Sequence, residues 1–227
     1  MLQTQSRRQT GRASSASVYD RIKTRLVRHE FPAGCRISIE PLAEALFVSA
    51  TPVREALTRL AVEKMVHEVP NAGFFTKPQS QSELADLYDL QELLLDWSAA
   101  KAASRAEGPA LLKPPRYCDD YQRAAASPSE RLADVADNLF LHLARQSGNT
   151  EVIRMIDNLN ARTNFARQNC FKLFGDPGNH FQAVCGAYSS LDFNTVRPNI
   201  TLYFDGLRTR LPSLFRSMAR SSILTSP

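Results

Sequence analysis

Apolar residues recur at helical spacing from Val18 onward. Val18, Ile22 and Leu26 fall on one face, and Ser17 with Asp20 forms an S-x-x-D box that opens a helix running to about His29. FPAG ends it, and the short CRIS that follows has strand character. Ser38 caps a second helix whose inward residues include Leu42, Ala45 and Leu46. After the tight turn FVS, Pro52 stands at the front of a run of helix formers. Ser49 and Thr51 are good N-cap residues, and a proline in a first turn lacks only an N–H that had no partner, so Pro52 starts a helix rather than breaking one. Val53, Ala56, Leu57 and Leu60 make its apolar face, and Thr51, Arg54 and Thr58 its polar one. Two apolar runs, MVHEV and GFFT, are separated by PNAG and read as a β-hairpin turning at Pro70 to Gly73. Three helices with a tight turn between the second and third, then a hairpin, give a winged helix-turn-helix over residues 17–78.

KPQSQ reads as a linker. Ser80 and Glu83 then form a second capping box, opening a long helix through about Arg105 with Leu87, Leu90, Leu94 and Trp97 on one stripe. EGPALLKPP breaks it, and further helices are expected around 117–126, from Ser127-Pro128 to Gly148, and from an Asn149 cap to about Phe174. GDPGN is a loop. Helical patterns resume from His180 to Ser190 and from Asp192 onward, where Pro198 should kink the helix or shift its start. No stretch after Thr76 reads as a strand. The expected fold is therefore mainly α: a winged helix joined to an all-α bundle of six or seven helices over residues 79–214, with a basic disordered arm at 1–16 and a tail at 215–227.

Charge sharpens this division. The chain has 227 residues and a net charge of +5. Residues 1–78 hold twelve Lys and Arg against seven Asp and Glu, whereas the remainder holds sixteen of each. A basic third joined to a neutral remainder points to a polyanionic partner for the first part alone. No apolar run is long enough to span a membrane, and the N-terminus lacks the apolar core of a secretory signal, so a cytoplasmic protein is expected. Cys35, Cys118, Cys170 and Cys185 are scattered with no CxxC pair and read as reduced thiols. There is no Gly-rich phosphate loop, nucleophile elbow, H-E-x-x-H or paired-Cys site, so no enzyme and no cofactor are expected.

The segment from VYDRIKTRLVRHEFPAGCRIS through LAEALFVSATPVREALTRLAVEKMVHEVPNAGFF resembles the DNA-binding domain of the GntR family of bacterial transcription regulators. The long helix, the SGN at 147–149 and His180 resemble its FadR-type subgroup with an FCD effector domain, over residues 17–211 in all. The resemblance implies a homodimer, most often a repressor, that binds a pseudo-palindromic operator and whose helical domain senses a small metabolite, commonly an organic acid. A winged helix whose bundle only dimerises is the alternative. Arg36, Thr51 and Arg54 match DNA-contacting positions and Gly73 the wing tip; Ser49 and Arg59 join them as candidates. Arginine can pair bidentately with guanine, threonine can meet a phosphate or a thymine methyl, and glycine lets backbone approach the groove floor. Arg54 also fits a solvated helix face or a salt bridge. Where the family has Arg before Thr-Pro, a cation before the wing glycine, and Gly in the helix-turn-helix turn, this chain has Ala50, Ala72 and Phe47. A bulky residue at positive φ costs about 1 kcal/mol, so a different turn shape is expected. Arg7, Arg8 and Arg12 of the arm fit a solvated tail first, and phosphate contacts second.

Many such relatives hold a divalent metal with one Asp and three His. The D-x-x-x-H pattern that supplies the first two falls here on Ala136 and Phe140; the second His matches His180, and the third falls near Tyr203. Asp137 and His142 lie one or two residues away, so a one-residue slip would restore part of a site. One His and a Tyr do not retain a transition metal tightly, leaving at most a weakly bound cation. A less polar cavity is expected, lined by Phe140, His142, His180 and Tyr203, with Arg162 or Arg167 available to hold an acid. Loss of the metal makes a neutral or aromatic effector a stronger candidate. His180 also fits a helix-start histidine bonded to backbone.

Overall fold

The computed structural model describes residues 18–105, 116–126 and 130–224. The Ser17 cap, the basic arm and the Ser127-Pro128 helix start lie outside them. The chain divides into two units, Met1–Gln79 and Ser80–Pro227.

In the first unit α1 (residues 18–27), β1 (Arg36–Ile37), α2 (Ile39–Leu46), α3 (Ala50–Val62), β2 (Val66–Val69) and β3 (Gly73–Thr76) follow in order. The strands form one antiparallel sheet in the order β1-β3-β2, with Val69 opposite Gly73 and Arg36 opposite Phe75. Ser49 is extended at the N-cap of α3 and Pro52 occupies its third position, where no intrahelical N–H is needed. Val53, Ala56, Leu57 and Leu60 are all buried against Ile22 and Leu26 of α1, Leu42 of α2 and Phe74 of β3. On α2 the inward alanine is Ala43, and Ala45 is exposed. Ser38 is the N-cap as expected, and counting from the buried Ile39 the third, fourth and seventh positions onward are Leu42, Ala43 and Leu46, which puts Ala43 rather than Ala45 on the inner face.

The turn between α2 and α3 keeps the shape a glycine would give it. Phe47 adopts the left-handed conformation at φ 55°, ψ 45°. The N–H of Phe47 donates to the Glu44 carbonyl and that of Val48 to the Ala43 carbonyl, each at 3.0 Å, which closes a Schellman motif. The Phe47 ring is 92% exposed, so it meets no packing obstacle and the cost is backbone strain alone. Two bonds from α1 hold this arrangement. Arg21 donates to the Leu46 carbonyl at 2.9 Å, and the Tyr19 hydroxyl donates to Glu63 just beyond α3 at 2.7–2.8 Å.

The second unit contains α4 (Gln81–Ala103), α5 (Tyr117–Ala125), α6 (Glu130–Gln146), α7 (Thr150–Phe174), α8 (His180–Ser189) and α9 (Phe193–Leu224), with a 3-10 turn at Pro177–Asn179. No strand follows Thr76 among the described residues, and no described helix is long and apolar enough to cross a membrane. α4 packs on α6, α7 and α9, α6 on α7, and α8 on α5 and α9. The Ser80 hydroxyl accepts from the Glu83 N–H, and the Asn149 side chain accepts from the N–H groups of Glu151 and Val152, so both expected caps form. Gly148 is required between α6 and α7: its φ is +68°, and a Cβ there would stand 2.7 Å from Nη1 of Arg105.

Two expectations need correction. The buried stripe of α4 is Leu84, Leu87, Tyr88, Gln91, Leu95 and Ala99, while Leu90 and Trp97 are exposed and Leu94 is only partly buried. Buried Gln91 interrupts the apolar pattern, which shifts the apparent stripe around the helix. α9 is one helix that contains both Pro198 and Pro212, so Pro198 does not shift its start, and residues 215–224, read as tail, belong to it. Each proline costs one i→i−4 hydrogen bond, which a helix of 32 residues absorbs.

Replacing Phe47 by Gly removes the left-handed strain and exposes nothing new. Urea unfolding of the full chain should show the first unit stabilised by about 0.5–1 kcal/mol. A loss of stability would mean that the ring supports the turn.

Candidate DNA-reading face and helical-unit cleft

The polar side of α3 presents Thr51, Arg54 and Thr58, all exposed, at helical spacing. Ser49 stands exposed at the N-cap, and its hydroxyl makes no cap hydrogen bond. The free N–H groups of the first turn give this end of the helix partial positive charge, which suits a phosphate. On the sheet, β1 and β3 bring two separate candidates together. Gly73 has φ +96°, and a Cβ built on it would lie 3.7 Å from Nε of Arg36, so the guanidinium covers the glycine while remaining exposed. Thr76 positions that arginine: its N–H donates to the Cys35 carbonyl and its hydroxyl accepts from the Cys35 N–H, each at 2.9 Å. Arg54 makes no ion pair or hydrogen bond with another described residue. Arg59 does: its guanidinium stacks 3.9 Å from the Tyr19 ring centroid and donates to Glu63 at 3.3 Å. Arg59 is thus held within the first unit, which sets it apart from Arg54.

In the helical unit the decisive side chain is Arg167, which is fully buried. Its guanidinium pairs with Asp137 and donates to Gln91 at 3.1 Å and Thr163 at 2.8 Å. Asn164 donates to Asp137 at 2.7 Å, and Gln91 donates to Asn160, which itself donates to the Asp137 carbonyl. Phe140 lies beneath, with the guanidinium carbon 5.1 Å from its ring centroid, and packs on Phe204, Phe181 and Tyr203. Beyond Tyr203 a shallow cleft opens, lined by Cys170, Phe171, Phe174, Asp176, His180, Leu207 and Arg210 among others. Asp176 is engaged there, accepting from Tyr121 and from the N–H groups of Phe181 and Gln182 at the start of α8. Burial pushes the Cys170 thiol up to about 11, despite Arg210 and Arg167 nearby, so it stays protonated and is a poor nucleophile.

The profile of the gntR family of bacterial regulatory proteins matches residues 14–76, the span of this winged helix. The first unit is a GntR-family DNA-binding domain. The Nta operon transcriptional regulator of Aminobacter aminovorans is 28% identical over 141 residues, covering 62% of this chain and 67% of that protein. A helix-turn-helix regulator from an unstable DNA locus of Streptomyces ambofaciens is 33% identical over 82 residues, or 36% of this chain and 35% of the relative. Two solved structures share the fold: E. coli McbR/YncC, with TM-score 0.66 at 17% identity over 90% of this chain and 98% of that one, and a transcriptional regulator GntR from Rhodococcus sp. RHA1, with 0.70 at 13% over 88% and 98%. The two sequence relatives are transcription regulators, not enzymes.

Against this GntR-family background the helical unit departs from what the sequence implied. Ala136 and Phe140 both point into the core at 0% exposure, so α6 keeps its register and no slip brings Asp137 and His142 into a metal site. Asp137 is taken by Arg167. His142 lies on the far side of α6, its Nδ1 2.6 Å from the Tyr188 hydroxyl and its ring against Tyr117, away from the cleft. Arg162 is likewise outside the cleft, donating to Glu83 at 2.8 Å. His180 does line the cleft with Tyr203, its ring packed against Gly178. Among the described residues no group of three His, Cys, Asp or Glu is placed to hold a metal, and the donors present do not fit one. Sequence reasoning missed Arg210, Cys170, Asp176 and Gln91. Only Gln91 left a signal, as a polar residue on an otherwise apolar helix face.

Asp137 carries the only countercharge of a fully buried cation among the described residues. Asp137→Ala should therefore cost about 3 kcal/mol in urea unfolding of the helical unit. A cost below about 1 kcal/mol would mean that Gln91 and Thr163 suffice.

Proposed function

We propose that this GntR-family regulator binds a pseudo-palindromic operator as a homodimer in the cytoplasm, acts as a repressor, and is released by a small metabolite bound in the helical unit. The observation that carries the DNA reading is the exposed face of α3. Arg54 stands there with no intramolecular partner among the described residues, between Thr51 and Thr58 and beside the free N-terminus of the helix. Arg36 over Gly73 supplies a second cationic contact from the wing. Arg59 is left out of this face because contact with DNA would cost it the Tyr19 stack and the Glu63 bond. Arg54→Ala should weaken operator binding by about 1–3 kcal/mol and relax preference at one base position per half-site, read by gel shift against randomised half-sites. Unchanged affinity would remove α3 as the recognition helix.

Dimerisation is argued from α4. Leu90, Leu93 and Trp97 form a stripe on its outer side, with Leu93 65% exposed, an unusual surface for a helix otherwise rich in charge. Two copies of the chain would bury it, and a twofold assembly holds two winged helices at the spacing of two half-sites. Leu93→Asp should convert the dimer to a monomer by light scattering at micromolar concentration and weaken operator binding. A dimer unaffected by this change would move the interface elsewhere.

A further inference from the structure

We propose that Phe47, in the turn between α2 and α3, is a DNA contact whose ring seats on the deoxyribose edge next to the phosphate that meets the start of α3. This rests on the reading of α3 as the recognition helix and adds an apolar contact to its cationic ones. Two bulky apolar residues have positive φ among the described residues, Phe47 at 55° and Leu191 at 57°. Leu191 packs against the core of the helical unit, so burial offsets its strain. Phe47 has no such return: it is 92% exposed, more than any other large apolar residue described. Strain held without an intramolecular gain marks a position shaped for a partner.

The turn also holds the ring ready. Val48 packs against the core of the first unit and Arg21 bonds the Leu46 carbonyl, so the backbone on both sides of Phe47 is anchored while its side chain stands in solvent. Little order remains to be imposed when the ring meets a surface. Ser49 is the N-cap of α3, and two residues span at most about 7 Å, so the ring stands beside the helix start. There the uncapped Ser49 hydroxyl and the first-turn N–H groups suit a phosphate. The apolar surface next to a backbone phosphate is its deoxyribose, and contacts to sugar and phosphate fix how a protein sits on the duplex. Ala50, three residues after Phe47, occupies the place where the family resemblance puts an arginine, so this edge of the face has an aromatic ring in place of a cation. A second copy of the chain is the other apolar occupant to hand, but pairing through this turn would cover Ser49 and Thr51 and take the reading face out of use.

The test uses the full-length protein and a duplex that wild type selects from a randomised pool, with affinity measured by fluorescence anisotropy over a range of salt concentrations. Phe47→Gly should raise the melting temperature yet weaken binding about tenfold, opposite effects that unfolding cannot produce. Phe47→Asn also tolerates the left-handed turn and should lose the same affinity, whereas Phe47→Tyr keeps the ring and should bind within about twofold of wild type. A sugar contact releases no counterion, so the slope of log affinity against log salt should be the same in all three variants as in wild type. Replacing every thymine by deoxyuridine should leave the ratio of wild-type to Phe47→Gly affinity unaltered. Phe47→Gly binding as tightly as wild type would overturn the proposal, as would a slope that falls with affinity, which would make the lost contact ionic. A ratio that collapses on the deoxyuridine duplex would assign the ring to a thymine methyl and overturn the sugar contact. Wild type assembling into larger species than Phe47→Gly in the absence of DNA would make the occupant another copy of the chain and overturn it too. A wild-type protein that selects no sequence removes the recognition reading and this contact with it; Phe47 variants that bind as wild type does leave that reading intact and remove this contact alone.

Discussion

Burying the guanidinium of Arg167 is the constraint around which the helical unit is arranged. Removing such an ion from water costs several kcal/mol even after relaxation, and only close countercharge and hydrogen bonds offset it. Those groups arrive from three helices: Asp137 from α6, Gln91 from α4 and Thr163 from α7 itself, with Asn160 and Asn164 steadying the first two. Each helix is thereby fixed in rotation as well as in position. One residue of slip in α6 would turn it by about 100°, and an alanine or an asparagine would face the guanidinium instead of a carboxylate. Apolar packing of Leu, Ala and Phe tolerates such slips far better, so the polar network selects one arrangement among those the core alone would accept.

The same register accounts for the composition of the core. With Asp137 turned to Arg167, positions 136 and 140 point into the bundle; these are the positions that the sequence resemblance assigned to a metal-binding Asp and His. Here they are Ala and Phe. Phe140 serves as a floor for the guanidinium and as the centre of an aromatic cluster with Phe181, Tyr203 and Phe204. A cation supplied by the chain itself thus stands beside the place where the family pattern would put a bound one.

Much of this architecture was legible in the sequence, and the misses have definite causes. Every element of the winged helix and every helix of the second unit lying within the described residues was foreseen, because caps such as Ser80 and Asn149 and faces such as Val53–Leu60 obey local rules. Faces went wrong where one residue broke the local pattern. Ala45 was taken for Ala43 although the Ser38 cap was placed correctly, because two alanines two apart on a short helix leave the face ambiguous, and Leu90 and Trp97 were taken as buried because Gln91 hides the true stripe of α4. Side-chain partners were the least legible. His142 and Phe140 are two residues apart yet face opposite sides of α6, and Arg162 and Arg167, five apart on α7, bond Glu83 and Asp137 respectively. Nothing in composition or spacing separates a buried arginine from a peripheral one; that depends on which carboxylate another helix brings within reach.

The same distinction decides how the arginines of the first unit divide their work. An arginine that already stacks on an aromatic ring and bonds a carboxylate gives up both on turning to a phosphate or a base, so much of the new contact is spent replacing the old. Arg59 is in that position, with Tyr19 beneath it and Glu63 beside it. Arg54, about a turn earlier, gives up no bond to a described residue. The wing follows the same logic in another form, since Arg36 rests over a residue with no side chain and can lift away without breaking a side-chain hydrogen bond to any described residue. Two cations of the family pattern are absent at Ala50 and Ala72, which leaves a larger share of any operator contact to Arg36, Arg54 and the exposed N–H groups of α3. Fewer fixed cations lower the non-specific attraction to phosphate more than the directional pairing of a guanidinium with a base, so in the proposed reading such a face favours selectivity over raw affinity.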